Sequence, residues 1–341
     1  MDNLPTIKLH EALFYKKLKN NFVNCNLCPR NCIIKEDARG DCRVRENIDG
    51  KLISLVYNHA VSMSLDPIEK KPLFHFLPNE RTLSFGTAGC NLHCLHCQNW
   101  EIAQNPPEKV ASIFAPPKKI VEEAVKYKAK IIGYTYNEPT VFYEYALDTM
   151  KLARKQKIKN IIVSNGFTNK NPILNWSKYL DGANIDLKGG KKFYEKICSA
   201  WLEPILKAVE LYHKKKIWLE ITSLIVPGYN DKEKNIKEII KFVKLLDEDI
   251  PLHFSAFYPS YRLLNIPRTN ELTLIRARNL ALKAGLNFVY AGNIDNQATS
   301  TTFCQSCKKP LIIRERFNVL QNILKNGKCP ECNERIPGVW N

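Results

Sequence analysis

Two hydrophobic rhythms divide the chain. Between residues 82 and 290, short apolar runs alternate with longer stretches whose apolar positions recur every three or four residues. The short runs predict strands at Thr82–Phe85, Ala129–Tyr136, Ile158–Ser164, Gly182–Leu187, Lys216–Ile221, Leu252–Phe257 and Asn287–Tyr290. The longer stretches predict helices at Pro117–Tyr127, Val141–Lys155, Asp231–Leu246 and Glu271–Ala284. Strands that alternate with helices pair in parallel through right-handed crossovers. The expected fold is therefore α/β, a partial or complete TIM-like barrel of (β/α)6 type. Chemistry in such a barrel sits at the C-terminal ends of the strands.

Outside this region the pattern changes. Lys51–Tyr57 alternates with a period of two and predicts short strands around a cysteine-rich knot. The chain thus divides into a leading segment (1–80), a barrel (81–299) and a tail (300–341). No repeat or low-complexity stretch interrupts it.

Composition narrows the class. With 341 residues, 45% hydrophobic and 25% charged, the chain can bury one large core plus an appendage, which excludes global disorder. No apolar stretch reaches membrane-spanning length and no apolar run follows a basic start, so a cytoplasmic protein with no membrane partner is expected. The formal net charge is +17, carried mostly by scattered lysines. Such a surface reads first as solvated and Lys-rich, and only second as a face for RNA. Thiolates bound to metal at three sites would bring the net charge to about +12.

Twelve cysteines in a cytoplasmic chain argue for metal rather than disulfides. Eleven fall into three spaced groups, and Cys198 stands alone. The central group lies in Gly86-Thr-Ala-Gly-Cys90-Asn-Leu-His-Cys94-Leu-His-Cys97, straight after the first barrel strand. Three thiolates at this spacing hold three irons of a four-iron cluster and leave the fourth iron open. The tail carries Cys304-x-x-Cys307 and Cys329-x-x-Cys332, ribbon spacing that places four sulfurs around zinc, with rubredoxin-like iron as the alternative. The leading group, Cys25, Cys28, Cys32 and Cys42, is less regular and fits zinc or an auxiliary iron–sulfur cluster. Zinc is the expectation there, because no partner electron site is visible.

Later strand ends add polar candidates. Glu138, in Tyr136-Asn-Glu-Pro-Thr140, can accept hydrogen bonds from an ammonium group. Ser164 and Asn165 offer a hydroxyl and an amide, although a helix-capping turn is an even rival. Asp186 and Lys188 alternate with apolar residues and share one face of a strand. Pro227-Gly228 enforces a turn, with Asn230-Asp231 placed to cap the next helix. His253 sits in an apolar strand and is a weak substrate-site candidate.

The cysteine loop resembles that of the radical S-adenosylmethionine (SAM) superfamily. The resemblance implies that Cys90, Cys94 and Cys97 ligate a [4Fe–4S] cluster whose open iron is chelated by SAM. It places His96 against the adenine, Glu138 at the SAM amino group and Ser164 and Asn165 near the ribose. Asp186 and Lys188 would lie near the methionine end of SAM and the substrate, and the turn after Ile225 near the adenosine. The chain departs from the superfamily's Gly-Gly-Glu-Pro motif, having Tyr136-Asn137 where the glycines stand.

Nearly the whole chain is similar to the AmmeMemoRadiSam-system radical SAM enzymes, relatives of pyruvate formate-lyase activating enzymes. The carrying residues are Cys25-Asn-Leu-Cys-Pro-Arg-Asn-Cys32, Asp66-Pro-Ile-Glu-Lys-Lys-Pro-Leu73, the central cysteine loop, Tyr136-Asn-Glu-Pro-Thr140 and Ile336-Pro-Gly-Val-Trp340. The resemblance implies reductive SAM cleavage, hydrogen abstraction from a protein or small molecule, and a flavodoxin- or ferredoxin-type electron donor. Competing readings are a radical SAM enzyme that modifies RNA and a non-enzymatic zinc scaffold. The segment Asp66–Phe76 reads on its own as a surface loop packed on the barrel.

Overall fold

A computed structural model describes residues 9–341; the first eight residues of the leading segment lie outside the described residues. Its centre is one eight-stranded sheet: β1 (Ser62–Pro67), β2 (Arg81–Gly86), β3 (Ile131–Tyr134), β4 (Lys159–Ser164), β5 (Gly182–Asp186), β6 (Trp218–Ile225), β7 (Leu252–Ala256) and β8 (Val289–Gly292). The strands lie side by side in chain order. β2 through β8 run parallel, and β1 pairs antiparallel with β2 at the open edge. Six helices cross between them: α1 (Pro117–Lys126), α2 (Tyr143–Lys155), α3 (Lys170–Trp176), α4 (Leu202–Lys214), α5 (Glu233–Leu246) and α6 (Glu271–Lys283). Six strand-to-helix units followed by a seventh parallel strand form a partial barrel, as the hydrophobic rhythm predicts. β1 falls within the stretch that sequence assigned to the leading segment.

The two faces of this sheet differ. Leu83, Phe85, Ile132, Tyr134, Ile162, Ile185, Leu219 and Ile221 point outward and bury against the helices. The inner face carries Thr82, Asn184, Asp186, Glu220, Thr222, His253 and Ser255 in register from strand to strand. Apolar side chains, among them Ile131 and Ile161, fill the lower end of that interior, and the polar groups line a chamber above it.

The floor of the barrel corrects one expectation. The segment after β1 is a buried plug, not a surface loop. Ile68, Leu73, Phe76 and Leu77 bury with Ile131 and Ile161 at the starts of β3 and β4. Gly182 opens β5, and a Cβ there would come 3.0 Å from the Phe76 ring, so the plug needs that glycine. Backbone Phe74 N–H and His75 N–H donate to Glu220 at 2.9 and 2.8 Å, and Asn184 donates to the Pro72 carbonyl at 2.7 Å. The chain's last residues seal the plug, with Val339 N–H donating to His75 O and Leu77 N–H to Val339 O. The two outlying motifs, Asp66–Leu73 and Ile336–Trp340, are therefore one structural unit.

Candidate active site

The cysteine loop leaves β2 at Gly86, where β2 and β3 end so close that a Cβ would meet Thr135 O at 2.5 Å. Gly89 has φ +84°, and a Cβ there would meet the Cys42 carbonyl at 2.6 Å. Glycine is thus required twice, once by crowding and once by both crowding and backbone conformation. The loop is then held by Asn137, the residue standing in place of a motif glycine. Its amide donates to Gly89 O at 2.6 Å and Ala88 O at 3.2 Å, while its oxygen accepts from Thr87 N–H at 3.2 Å. Tyr136, at φ +70°, turns its hydroxyl to Asp66, which Lys70 and Lys71 also contact at 2.8 and 2.7 Å. The departure from two glycines is a scaffold for the loop.

Cys90 and Cys94 are buried and Cys97 is half-buried. Their sulfurs do not all lie within 4.8 Å of one another, as the ligands of a single ion would. Ligands of a four-iron cluster sit on separate metal corners and stand wider apart, so the donor set fits a cluster. Asn165 donates to Cys90 Sγ at 3.7 Å and to Asn91 Oδ1 at 2.9 Å. The capping rival for this turn is not realised, because α3 begins later, at Lys170.

Glu138 is 1% exposed and links two strand ends. Its carboxylate accepts from Thr140 N–H (3.0 Å), Thr140 Oγ1 (2.6 Å), Ser164 Oγ (2.8 Å) and Asn165 N–H (2.8 Å). Burial pushes its carboxyl above the usual range, against those hydrogen bonds. Asp186 and Lys188 pair at 2.6 Å on the chamber face. Burial works against the Lys188 charge, but Asp186 and the nearby Cys94 and Cys198 thiols outweigh it and hold the ammonium.

His96 is 3% exposed and its Nδ1 has no hydrogen-bond partner among the described residues. Burial, then Lys188, lowers its pKa to about 3, so the ring is neutral. An orphaned ring nitrogen against Phe193, 5.7 Å centroid to centroid, suits a flat heterocycle with an exposed N–H. By contrast His93 is fully engaged, contacting Asp41 at 2.8 Å and Gln104 at 3.0 Å.

Three site residues escape sequence reasoning. Cys198 ends a π-helical turn (Tyr194–Cys198), and its Sγ, Cys94 Sγ and a His96 nitrogen lie within 4.8 Å of one another. Asn230 does not cap α5; its amide donates to Lys188 O (2.7 Å) and Leu224 O (2.8 Å), tying β5 to β6. Glu220 receives His253 Nε2 at 2.6 Å, so His253 is satisfied from below even though its ring borders the chamber. A lone cysteine, an asparagine in a turn and a carboxylate inside an apolar strand each carry a faint signal of this kind.

The chamber opens into a 530 Å³ cavity bordered by Thr222, Ser255, Tyr258, Tyr290 and Arg316. On the inner face of the chamber, Thr82 Oγ1, Asn184 Oδ1 and Thr222 Oγ1 are buried without a partner among the described residues. The loop after β7 joins this cavity to the cysteines. Tyr258 and Arg268 border the cavity, while Ser260 donates to Cys97 O and Arg262 N–H to Leu95 O.

The tail cysteines draw together as one-metal ligands do. Cys304–Cys332 and Cys307–Cys329 are 3.5 and 3.7 Å apart, and all four sulfurs lie within 4.8 Å. A tetrahedron of Zn–S bonds has edges of roughly 3.8 Å. Cys25, Cys28, Cys32 and Cys42 border one small cavity with their sulfurs spread more widely than those of the tail. No helix among the described residues is long and apolar enough to cross a membrane.

Comparison with known proteins agrees with this geometry. Residues 85–243 match the Radical SAM superfamily. An uncharacterized protein of Methanocaldococcus jannaschii is 45% identical over 96% of this chain and 99% of its own length. The 4-hydroxyphenylacetate decarboxylase activating enzyme of Clostridium scatologenes is 25% identical over 33% of this chain and 37% of its own. A radical SAM methyltransferase from Sphaerobacter thermophilus superposes with a TM-score of 0.51 at 12% identity, covering 66% of this chain and 70% of that one. The central segment of the chain, residues 85–243, matches the radical SAM superfamily, and an activating enzyme is among the chain's relatives. This chain and the M. jannaschii protein align over nearly their whole lengths.

Proposed function

We propose that this protein reductively cleaves SAM and uses the resulting 5′-deoxyadenosyl radical to abstract hydrogen from a protein or small molecule. The observation that carries the reading is the loop itself: three cysteines spaced too widely for one ion, beside the buried, unpartnered His96 Nδ1. A four-iron cluster bound there supplies the electron for cleavage, and SAM the radical. The chain's own groups do the positioning. Cys90, Cys94 and Cys97 hold the irons, and Asn137 and Asn165 fix the loop. His96 meets the adenine, Ser164 and Asn165 the ribose, and Glu138 the amino group, sharing its oxygens with their present donors. Lys188, neutralised by Asp186, orients the carboxylate-bearing end, and His253 borders the substrate.

The substrate enters through the cavity beside Tyr258 and Arg316. A flavodoxin- or ferredoxin-type protein delivers the electron, and the tail tetrad binds zinc. The combined motifs support membership of the AmmeMemoRadiSam-system enzymes, acting in the cytoplasm. The test is anaerobic reconstitution with dithionite and SAM, followed by detection of 5′-deoxyadenosine. Wild-type protein is expected to produce it and Cys94→Ala to produce none. A colourless protein that leaves SAM intact sinks the reading, and three zincs without iron would favour a scaffold.

A further inference from the structure

We infer that the leading cysteines, Cys25, Cys28, Cys32 and Cys42, hold a second four-iron cluster rather than zinc. The four converge from separate turns onto one small cavity. Among the described residues, no three of them bring their sulfurs within 4.8 Å of one another, whereas the tail tetrad does. One zinc ion pulls four thiolates to about 3.8 Å. A cubane puts each thiolate on its own iron and leaves a void between the sulfurs when the metal is removed. The four leading cysteines border a small void of about 20 Å³, whereas the tail sulfurs stand at contact distance, 3.5 and 3.7 Å.

The surroundings suit cluster thiolates. Each sulfur has a donor directed at it: the N–H of Arg30 at Cys28, of Asp41 at Cys32 and of Val44 at Cys42, and the Arg45 guanidinium at Cys25, 3.6 Å away. Hydrogen bonds to cluster sulfurs stabilise the negative charge that four thiolates bring. Arg45 is 1% exposed and is itself paired with buried Glu144. The remaining walls include apolar Leu27, Ile34 and Val141. Gly40 belongs to the same wall; a Cβ there would sit 3.7 Å from Cys32 Sγ and 3.2 Å from Ile34.

The site also abuts the catalytic loop. Asn91, the residue after Cys90, borders the same cavity. Arg30 donates to Asn91 O at 3.1 Å, and the Cys42 carbonyl crowds Gly89. This proposal does not require that SAM be cleaved, and its test separates the two.

The experiment is metal, sulfide and EPR analysis of the full chain reconstituted anaerobically with iron and sulfide. About eight irons and one zinc per chain are expected. The triple variant Cys90→Ala/Cys94→Ala/Cys97→Ala should keep about four irons and a reduced-cluster EPR signal that SAM does not perturb. Cys28→Ala/Cys42→Ala should keep about four irons whose signal SAM still changes. About four irons with two zincs in the wild type would overturn the inference, whether or not any variant folds. A triple variant that keeps two zincs and no iron would overturn it equally. If wild-type protein shows iron but leaves SAM intact, the proposed activity fails while the second cluster stands.

Discussion

The two cysteine-rich ends of the chain carry the same four ligand residues and build different sites from them. The tail brings its sulfurs to 3.5 and 3.7 Å, leaves Cys307 and Cys332 exposed, and packs on Phe74, Phe288 and Tyr290 at the barrel floor. The leading group spreads its sulfurs around a cavity and packs on the catalytic loop at the mouth. Each end is moored by one fully buried arginine. Arg45 meets Glu144 directly, and although burial opposes its charge, the carboxylate raises its pKa. Arg314 relies on oxygens at Phe74 (2.6 Å), Thr302 (2.9 Å) and Ser300 (3.2 Å), with Glu69 farther off at 3.6 Å, and there burial wins and lowers the pKa. The lesson is positional. Ligand count is shared, and what differs is whether the knot closes a floor or lines a working strand end.

The largest expected difference concerns metal removal. Cys329→Ala should lose the zinc proposed for the tail, free residues 302–340 to proteolysis and leave the iron content unchanged. A structural zinc contributes about 10–16 kcal/mol to isolated zinc-finger peptides, and here it would add to the small core of Leu311, Ile312 and Ile336. Metal analysis with limited proteolysis reads the outcome. Iron falling in step with zinc would show that the two ends are not independent.

The moorings come next. Glu144→Ala leaves Arg45 buried without its partner and should cost about 3–5 kcal/mol in anaerobic denaturant unfolding. Replacing both partners, Arg45→Met with Glu144→Leu, should recover most of that loss. Glu69→Gln at the tail should cost only about 1 kcal/mol, because Arg314 keeps its three oxygen partners. Equal losses at the two ends would erase the contrast between them. Asn137→Ala is smaller still in stability but sharp in activity. It removes both carbonyl contacts to the loop and should lower SAM cleavage ~10–100-fold with iron largely retained.

Much of this was legible in the sequence because the relevant signals are periodic or repeated. Parallel strands show as apolar runs between amphipathic helices, and α1, α2, α5 and α6 fall within three residues of their expected bounds. β6 runs four residues past its expected end, because Thr222 and Ser223 look polar in sequence yet continue the strand along the chamber. What was hidden depends on partners distant in sequence. Asn137 and Asn230 read as turn residues, but each ties one strand end to another. Cys198 has no neighbouring cysteine and reaches Cys94 only through a π-helical turn. The Asp66–Phe76 plug looked solvated because its charges are closely spaced; in the fold Asp66 pairs with both Lys70 and Lys71, and the backbone N–H groups of Phe74 and His75 satisfy Glu220.

That charged cluster, lying between floor and mouth, gives the smallest effect and a pH test. Burial alone would push Asp66 up, but hydrogen bonds from Lys70, Lys71 and Tyr136 bring it down to about 2. A carboxyl depressed in the folded state stabilises the fold above its unfolded pKa, near 4, and loses that contribution as pH falls toward 2. The contribution is about 1–2 kcal/mol at neutral pH. Asp66→Asn should therefore be less stable than wild type by that amount at pH 7, with the gap closing between roughly pH 4 and pH 2. Acid loss of metal strikes both proteins alike, so the difference between their unfolding curves isolates the carboxylate. A gap that persists unchanged to pH 2 would mean that Asp66 acts by shape, holding Tyr136 and through it the Asn137 scaffold, rather than by charge.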